Sequence, residues 1–255
     1  MVALAMLSAY RILRADLSRH AISSRIDAET LIAVPCLFGI VGAKLYHLLE
    51  SPRDFVTDPL GLLFSQFGFA WFGGLLAGFA SFVWLSWRRR VPLLSLLDVG
   101  APAAALGYGI GRIGCLLSGD GDYGIPTSLP WGMRFPNGLV PTERRVHPTP
   151  LYELIVACII AWLLWRMSGP GRHSRGRQEC EPNESALPHG TVFAAYLVLT
   201  GASRFLIEFL RINPRSLFGL TNAQVASLAC VGAGLVLWSS LHRKTPEATP
   251  PTEPR

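Results

Sequence analysis

The sequence predicts an all-α integral membrane protein: a bundle of about seven transmembrane helices, N-terminus outside and C-terminus in the cytoplasm. Three observations carry this. Half of the 255 residues are hydrophobic and only 16% are charged, whereas a soluble domain is about a quarter charged. Apolar runs near the roughly 20 residues needed to cross a bilayer core recur along the chain. The basic residues stand in short clusters between those runs, as in the loops of membrane proteins.

Taken in order, Val2 to Leu13 is apolar but short. It reads as the second half of a span, either because the start codon is assigned too late or because the helix is shortened. Six fuller spans follow, from about Leu31 to Leu49, Phe67 to Trp87, Leu96 to Leu117, Leu151 to Met167, Val192 to Leu210 and Val225 to Leu241. Arg11, Arg14, Arg19 and Arg25 follow the first segment, Arg88 to Arg90 the third, Arg166, Arg172, Arg175 and Arg177 the fifth, and Arg243 and Lys244 the last. With seven spans these sets share one side, and the positive-inside rule makes that side cytoplasmic. The opposite loops hold fewer basic residues: Arg53, then Arg134, Arg144 and Arg145, then Arg211 and Arg215.

One domain, residues 1–244, then carries an extracytoplasmic loop at 118–147 and a polar cytoplasmic linker at 168–189, ahead of a disordered tail at 245–255. The net charge of +6 does not point to nucleic acid, because the basic residues form no single face. The five cysteines have neither metal-ligand spacing nor a disulfide framework. The opening MVALAMLSAY is apolar before it is basic, the reverse of a secretory signal. No internal repeat is evident.

Lys44, Arg112 and Arg204 fall in or beside apolar spans. An arginine at mid-bilayer costs about 2.5–3.5 kcal/mol on insertion scales; near a helix end it can snorkel. Arg112, in GRIGCLLSGDGDYG, is either such an anchor or an interior anion-binding group. The surrounding Gly107, Gly109, Gly111 and Gly114 favour the second, since glycines allow close approach to the main chain. In RFLIEFLR, Arg204, Glu208 and Arg211 share one helix face. Arg204 and Glu208 can satisfy each other, but the third charge leaves a positive surplus, to which Arg112 adds. A buried surplus needs an anion, and paired guanidinium forks fit a phosphodiester. HPTPLYE opens the fifth span with prolines suited to a helix start. There Glu153 reads as a first-turn acid favoured by the helix dipole, and His147 as an interfacial residue or a proton acceptor. In AWFGGLLAG the paired Gly73 and Gly74 read first as helix-packing residues.

These segments together resemble the bacterial prolipoprotein diacylglyceryl transferase family. GAKLYHLL, WFGGLLAG, GRIGCLLSGDGDYG, HPTPLYE and RFLIEFLR occur in the family's order across nearly the whole chain. The resemblance implies seven transmembrane helices in a bacterial inner membrane. It implies transfer of the diacylglyceryl group of phosphatidylglycerol to the lipobox cysteine thiol in the signal peptide of a preprolipoprotein, releasing glycerol 1-phosphate, with no cofactor or metal. By resemblance Arg112 binds the lipid phosphate and Arg204 positions the headgroup and steadies the leaving group. Gly111, Gly114, Gly124, Gly73, Gly74, Ser118, Asp120, Tyr152, Glu153 and Arg211 are expected around the substrate. The sequence departs from the family where a histidine or tyrosine usually precedes the paired glycines; here Phe72 stands. His147, Asp122 or Glu208 must then accept the thiol proton, or water must carry it. Two alternatives are a divergent phosphatidylglycerol-binding relative with another transfer or none, and an anion transporter lined by Arg112 and Arg204.

Overall fold

The computed structural model describes residues 1–17, 25–50, 52–65, 70–168, 187–215 and 219–243. The expected linker at 168–189 (apart from its ends) and the expected tail lie outside the described residues, as does Phe67, the expected start of the third span. The elements are α1 (Val2–Leu17), α2 (Ala28–Glu50), α3 (Pro52–Thr57), α4 (Pro59–Phe64), α5 (Trp71–Arg89), α6 (Leu93–Ser118), β1 (Met133–Phe135), β2 (Thr142–Val146), α7 (Thr149–Met167), α8 (Thr191–Ile207) and α9 (Asn222–Arg243).

Among the described residues, α2, α6, α7, α8 and α9 are long and apolar enough to cross a membrane. Helix α1 has 16 residues and spans about 24 Å at 1.5 Å per residue, short of the roughly 30 Å hydrocarbon core. Helix α5 has 19, diluted by glycine, serine and tryptophan and ending in Arg88 and Arg89.

Helix α6 is the axis of the bundle because small residues line it and let neighbours approach. Leu96, Val99 and Ala103 pack with Leu13 and Leu17 of α1, Leu31 of α2 and Leu85 of α5. Ala101 and Ala105 pack with Ile160, Ala161 and Leu164 of α7 and Val192 and Ala195 of α8. Buried Asp98 of α6 accepts hydrogen bonds from the backbone N–H groups of Gly190 (2.6 Å) and Phe193 (2.8 Å). The carboxylate thus caps the start of α8 from another helix, where donors are unpaired and the dipole is positive.

Helices α2 and α5 cross at Gly42 and Gly73, where a Cβ on either would overlap the other's carbonyl oxygen. Gly74 lies on the same crossing, facing Gly39 and Ala43. The paired glycines therefore bring two helices together. Buried Lys44 donates to the backbone oxygen (2.9 Å) and hydroxyl (3.0 Å) of Ser65, tying α2 to the end of α4.

The loop after α6 holds one small hairpin, in which β1 and β2 pair antiparallel with Met133 opposite Val146 and Phe135 opposite Thr142. One expectation changes. The sixth span does not run as one α-helix to Leu210. Helix α8 stops at Ile207, a 3₁₀ turn covers Glu208–Leu210, and Arg211 is extended.

Candidate active site

The loop after α6 folds back onto the end of α8. Gly119 ends α6 with a left-handed backbone, the conformation glycine adopts without steric cost. Tyr123 is buried and stacks on Phe135 at 5.4 Å. Gly124 donates to the backbone oxygen of His147 (2.8 Å), and Ile125 to that of Leu210 (2.8 Å). A Cβ at Gly124 would overlap Leu210's carbonyl oxygen, so only glycine lets the loop cross the chain there. The Thr149 hydroxyl donates to the Asp122 backbone oxygen. These contacts set the Asp122 side chain between two guanidinium groups, those of Arg112 and Arg211.

The guanidinium of Arg112 (α6) pairs with Asp122 and, through Nε at 2.6 Å, with Glu153 (α7). Arg204 (α8) pairs with Glu153 and with Glu208 at 3.0 Å. Arg211 pairs with Asp122, with Glu153 at 3.4 Å and with Glu208 at 3.6 Å. Glu153 is the hub, touched by all three arginines. It lies past the first turn of α7 and is buried, so the helix-dipole reading of Glu153 is replaced by an ion-network role.

The charge count changes with it. Arg204, Glu208 and Arg211 leave a positive surplus by themselves, but Asp122 and Glu153 bring the six-member cluster to three cations and three anions. No uncompensated cation remains within it. The arginines come together from separate elements and share carboxylates rather than each owning one. The side chains of Glu153 and Glu208 are 2% and 0% exposed, that of Asp122 30%. Burial pushes the Asp122 carboxyl up, but the guanidiniums of Arg211 and Arg112 outweigh it and hold it below the usual range.

Around the cluster, the hydroxyl of Tyr108 accepts from Arg112 at 2.9 Å, and Arg112 lies over the same ring at 4.8 Å. The Arg112 guanidinium also approaches the Cys115 sulfur at 3.8 Å. Asp120 accepts from the backbone N–H of Asp122 (3.2 Å), and the Ser118 hydroxyl donates back into α6. A Cβ at Gly111 would meet no atom within 4 Å, whereas one at Gly114 would lie 3.8 Å from Met1. His147 Nδ1 lies 3.1 Å from the Tyr152 hydroxyl, which accepts from the indole N–H of Trp131 at 2.8 Å. One donor atom each from Cys115, Asp120 and Asp122 fall within 4.8 Å of one another, but both Asp122 oxygens are engaged by arginines.

The sequence reading missed Tyr108, Thr149, Asn213 and Thr221. Tyr108 had a signal, lying one helical turn before Arg112. So did Thr221, which with Gln224 spells a T-x-x-Q capping box before the last apolar run.

Comparison with known proteins bears on what this cluster does. Residues 1–240 match the family described as prolipoprotein diacylglyceryl transferase. The phosphatidylglycerol–prolipoprotein diacylglyceryl transferase of Clostridium tetani is 31% identical over 204 residues, covering 79% of this chain and 75% of that protein. Proteins of the same name from Paracidovorax citrulli (31% identical, 84% of this chain and 76% of that protein) and Parasynechococcus marenigrum (31%, 87% and 82%) are similar to it over comparable lengths.

Proposed function

The chain belongs to the prolipoprotein diacylglyceryl transferase family, and from that premise we propose how its buried ion cluster works. The enzyme is a multi-pass membrane transferase. It moves the diacylglyceryl group of phosphatidylglycerol onto the thiol of the lipobox cysteine in a preprolipoprotein signal peptide and releases glycerol 1-phosphate. The observation that carries this reading is the convergence of Arg112, Arg204 and Arg211 from α6, α8 and the segment after it on shared carboxylates. In our reading α1 and α5 complete seven spans in a bacterial inner membrane, N-terminus outside, and the cluster faces the outer leaflet.

The donor lipid brings one negative charge to a neutral cluster. A carboxylate must give way, and Asp122 is the one placed to do so: it is the most exposed of the three and sits on a loop, while Glu153 and Glu208 are buried. The phosphate takes its place between Arg112 and Arg211, with Arg204 alongside. The acceptor thiol loses its proton, the thiolate sulfur attacks the glyceryl carbon bearing the phosphate ester, and that C–O bond breaks. Charge grows on the departing phosphate, so preorganised guanidiniums stabilise the transition state more than the bound lipid. His147 accepts the thiol proton, with Tyr152 and Trp131 fixing its ring. The Asp122 carboxylate is a poor acceptor because Arg112 and Arg211 already hold both of its oxygens, and Glu153 and Glu208 are engaged in the buried part of the ion network.

The test is complementation of a bacterium depleted of its own transferase, read as growth and as lipid-modified lipoprotein. The wild-type chain restores both, and Arg112→Ala, inserted at equal level, restores neither. Full activity in Arg112→Ala removes the phosphate-site assignment. Failure of the inserted wild-type chain favours the divergent relative.

A further inference from the structure

We propose that Thr221 and Asn213 are positioning residues, which aim Arg204 and Arg211 by fixing the rotation of Glu208. This inference rests on the phosphate-binding role given to those arginines above.

Glu208 is buried and its two oxygens have different work. Oε2 faces Arg204 at 3.0 Å and Arg211 at 3.6 Å. Oε1 faces away and accepts from the Asn213 side-chain amide at 2.7 Å and the Thr221 hydroxyl at 2.9 Å. Thr221 precedes α9, and its position is over-determined. Its hydroxyl also accepts from the Gln224 backbone N–H (3.2 Å), while its own N–H donates to the Gln224 side-chain oxygen (3.0 Å). That reciprocal pair is a capping box, and Thr221 and Gln224 are both almost fully buried.

The cap would be complete without Glu208. A threonine hydroxyl has a single proton, and here it goes to the glutamate. The carboxylate plane is thereby pinned by donors from the start of α9 and from the segment after α8. A free carboxylate could swing both oxygens toward the cations and draw them off the lipid phosphate. A pinned one offers a single oxygen and holds two like-charged groups at set positions. Ion-network geometry of this kind governs transition-state stabilisation, where a misplacement of about 1 Å can cost on the order of a hundredfold in rate.

The test measures kcat, KM for phosphatidylglycerol and thermal midpoint on purified full-length protein carrying Thr221→Val, Thr221→Ser or Asn213→Ala, with a lipobox peptide as acceptor. We expect kcat to fall about tenfold or more in Thr221→Val and Asn213→Ala, and to return to within about twofold of wild type in Thr221→Ser. A residue that merely caps α9 would lower the thermal midpoint while leaving kcat and KM of the folded fraction unchanged, and that result overturns the proposal. Phosphatidylglycerol retained through purification, measured by native mass spectrometry, gives a readout independent of transfer. If the wild-type chain retains the lipid but does not transfer, the functional reading fails. Positioning then stands on lower retention in Thr221→Val than in Thr221→Ser, and falls on equal retention.

Discussion

Replacing Asp122 by asparagine separates two roles for this residue. If Asp122 holds the phosphate's place, the variant keeps the shape of the side chain but removes the charge that the lipid must displace. Asp122 pairs with both Arg112 and Arg211. A hydrogen bond to a charged group contributes about 1.5–3 kcal/mol net. Asp122's side chain is 30% exposed and asparagine can still accept, so the saving on displacement is about 1–1.5 kcal/mol. At about 1.4 kcal/mol per factor of ten, KM for phosphatidylglycerol should fall roughly five- to tenfold, with kcat changed by less than about threefold, because bound lipid and transition state gain alike. The assay is transfer from phosphatidylglycerol in mixed micelles to a fluorescent lipobox peptide. A fall in kcat of about a hundredfold or more, with KM unmoved, would refute this reasoning and make Asp122 the base. The pH dependence follows from the lowered carboxyl value. A group depressed by folding adds stability fully above its unfolded value, near 3.9, and loses it as pH falls through the lower folded one. The ratio of wild-type to variant KM should therefore be flat from about pH 5 to 8 and close only below about pH 4.

Three further outcomes are expected. His147→Gln should lower kcat about a hundredfold near neutral pH and less above about pH 8.5, where the acceptor thiol ionises unaided; an equal loss at both pH values, read from the transfer rate, would remove the proton-acceptor role. Phe72→His puts one of the two residues expected from the resemblance, histidine or tyrosine, ahead of the paired glycines at an exposed position on α5, and a higher transfer rate would show that proton removal limits this enzyme. Gly73→Ala should lower the thermal midpoint and the yield of inserted protein, because its Cβ would overlap the Gly42 carbonyl oxygen and Tyr46; an unchanged midpoint would mean that the α2–α5 crossing opens freely.

The sequence is most informative where one helix or one short motif holds the whole signal. Apolar length located α2, α6, α7 and α9 within a few residues, and the glycines around Arg112 favoured an interior group over an anchor. The site's balance was not legible, because it depends on which distant segments meet. Glu153 looks like a helix-start acid from HPTPLYE alone, and only the docking of α7 between α6 and α8 turns it into the partner of three arginines. Asp122 reaches the cluster because the loop crosses at Gly124, a long-range event with no periodic pattern behind it. The break of α8 at Ile207 was hidden for a similar reason. RFLIEFLR keeps a helical period to its end, yet the backbone leaves the α-helix where Glu208 is held by Asn213 and Thr221.

The cap that Asp98 places on α8 has a consequence for how the chain is made. Its acceptor and the Gly190 amide are separated by 92 positions, which a ribosome takes on the order of ten seconds to synthesise. Throughout that interval the nascent α6 carries an acidic side chain whose eventual partners have not yet been synthesised. The cap therefore closes only after all of α7 and the start of α8 have been made.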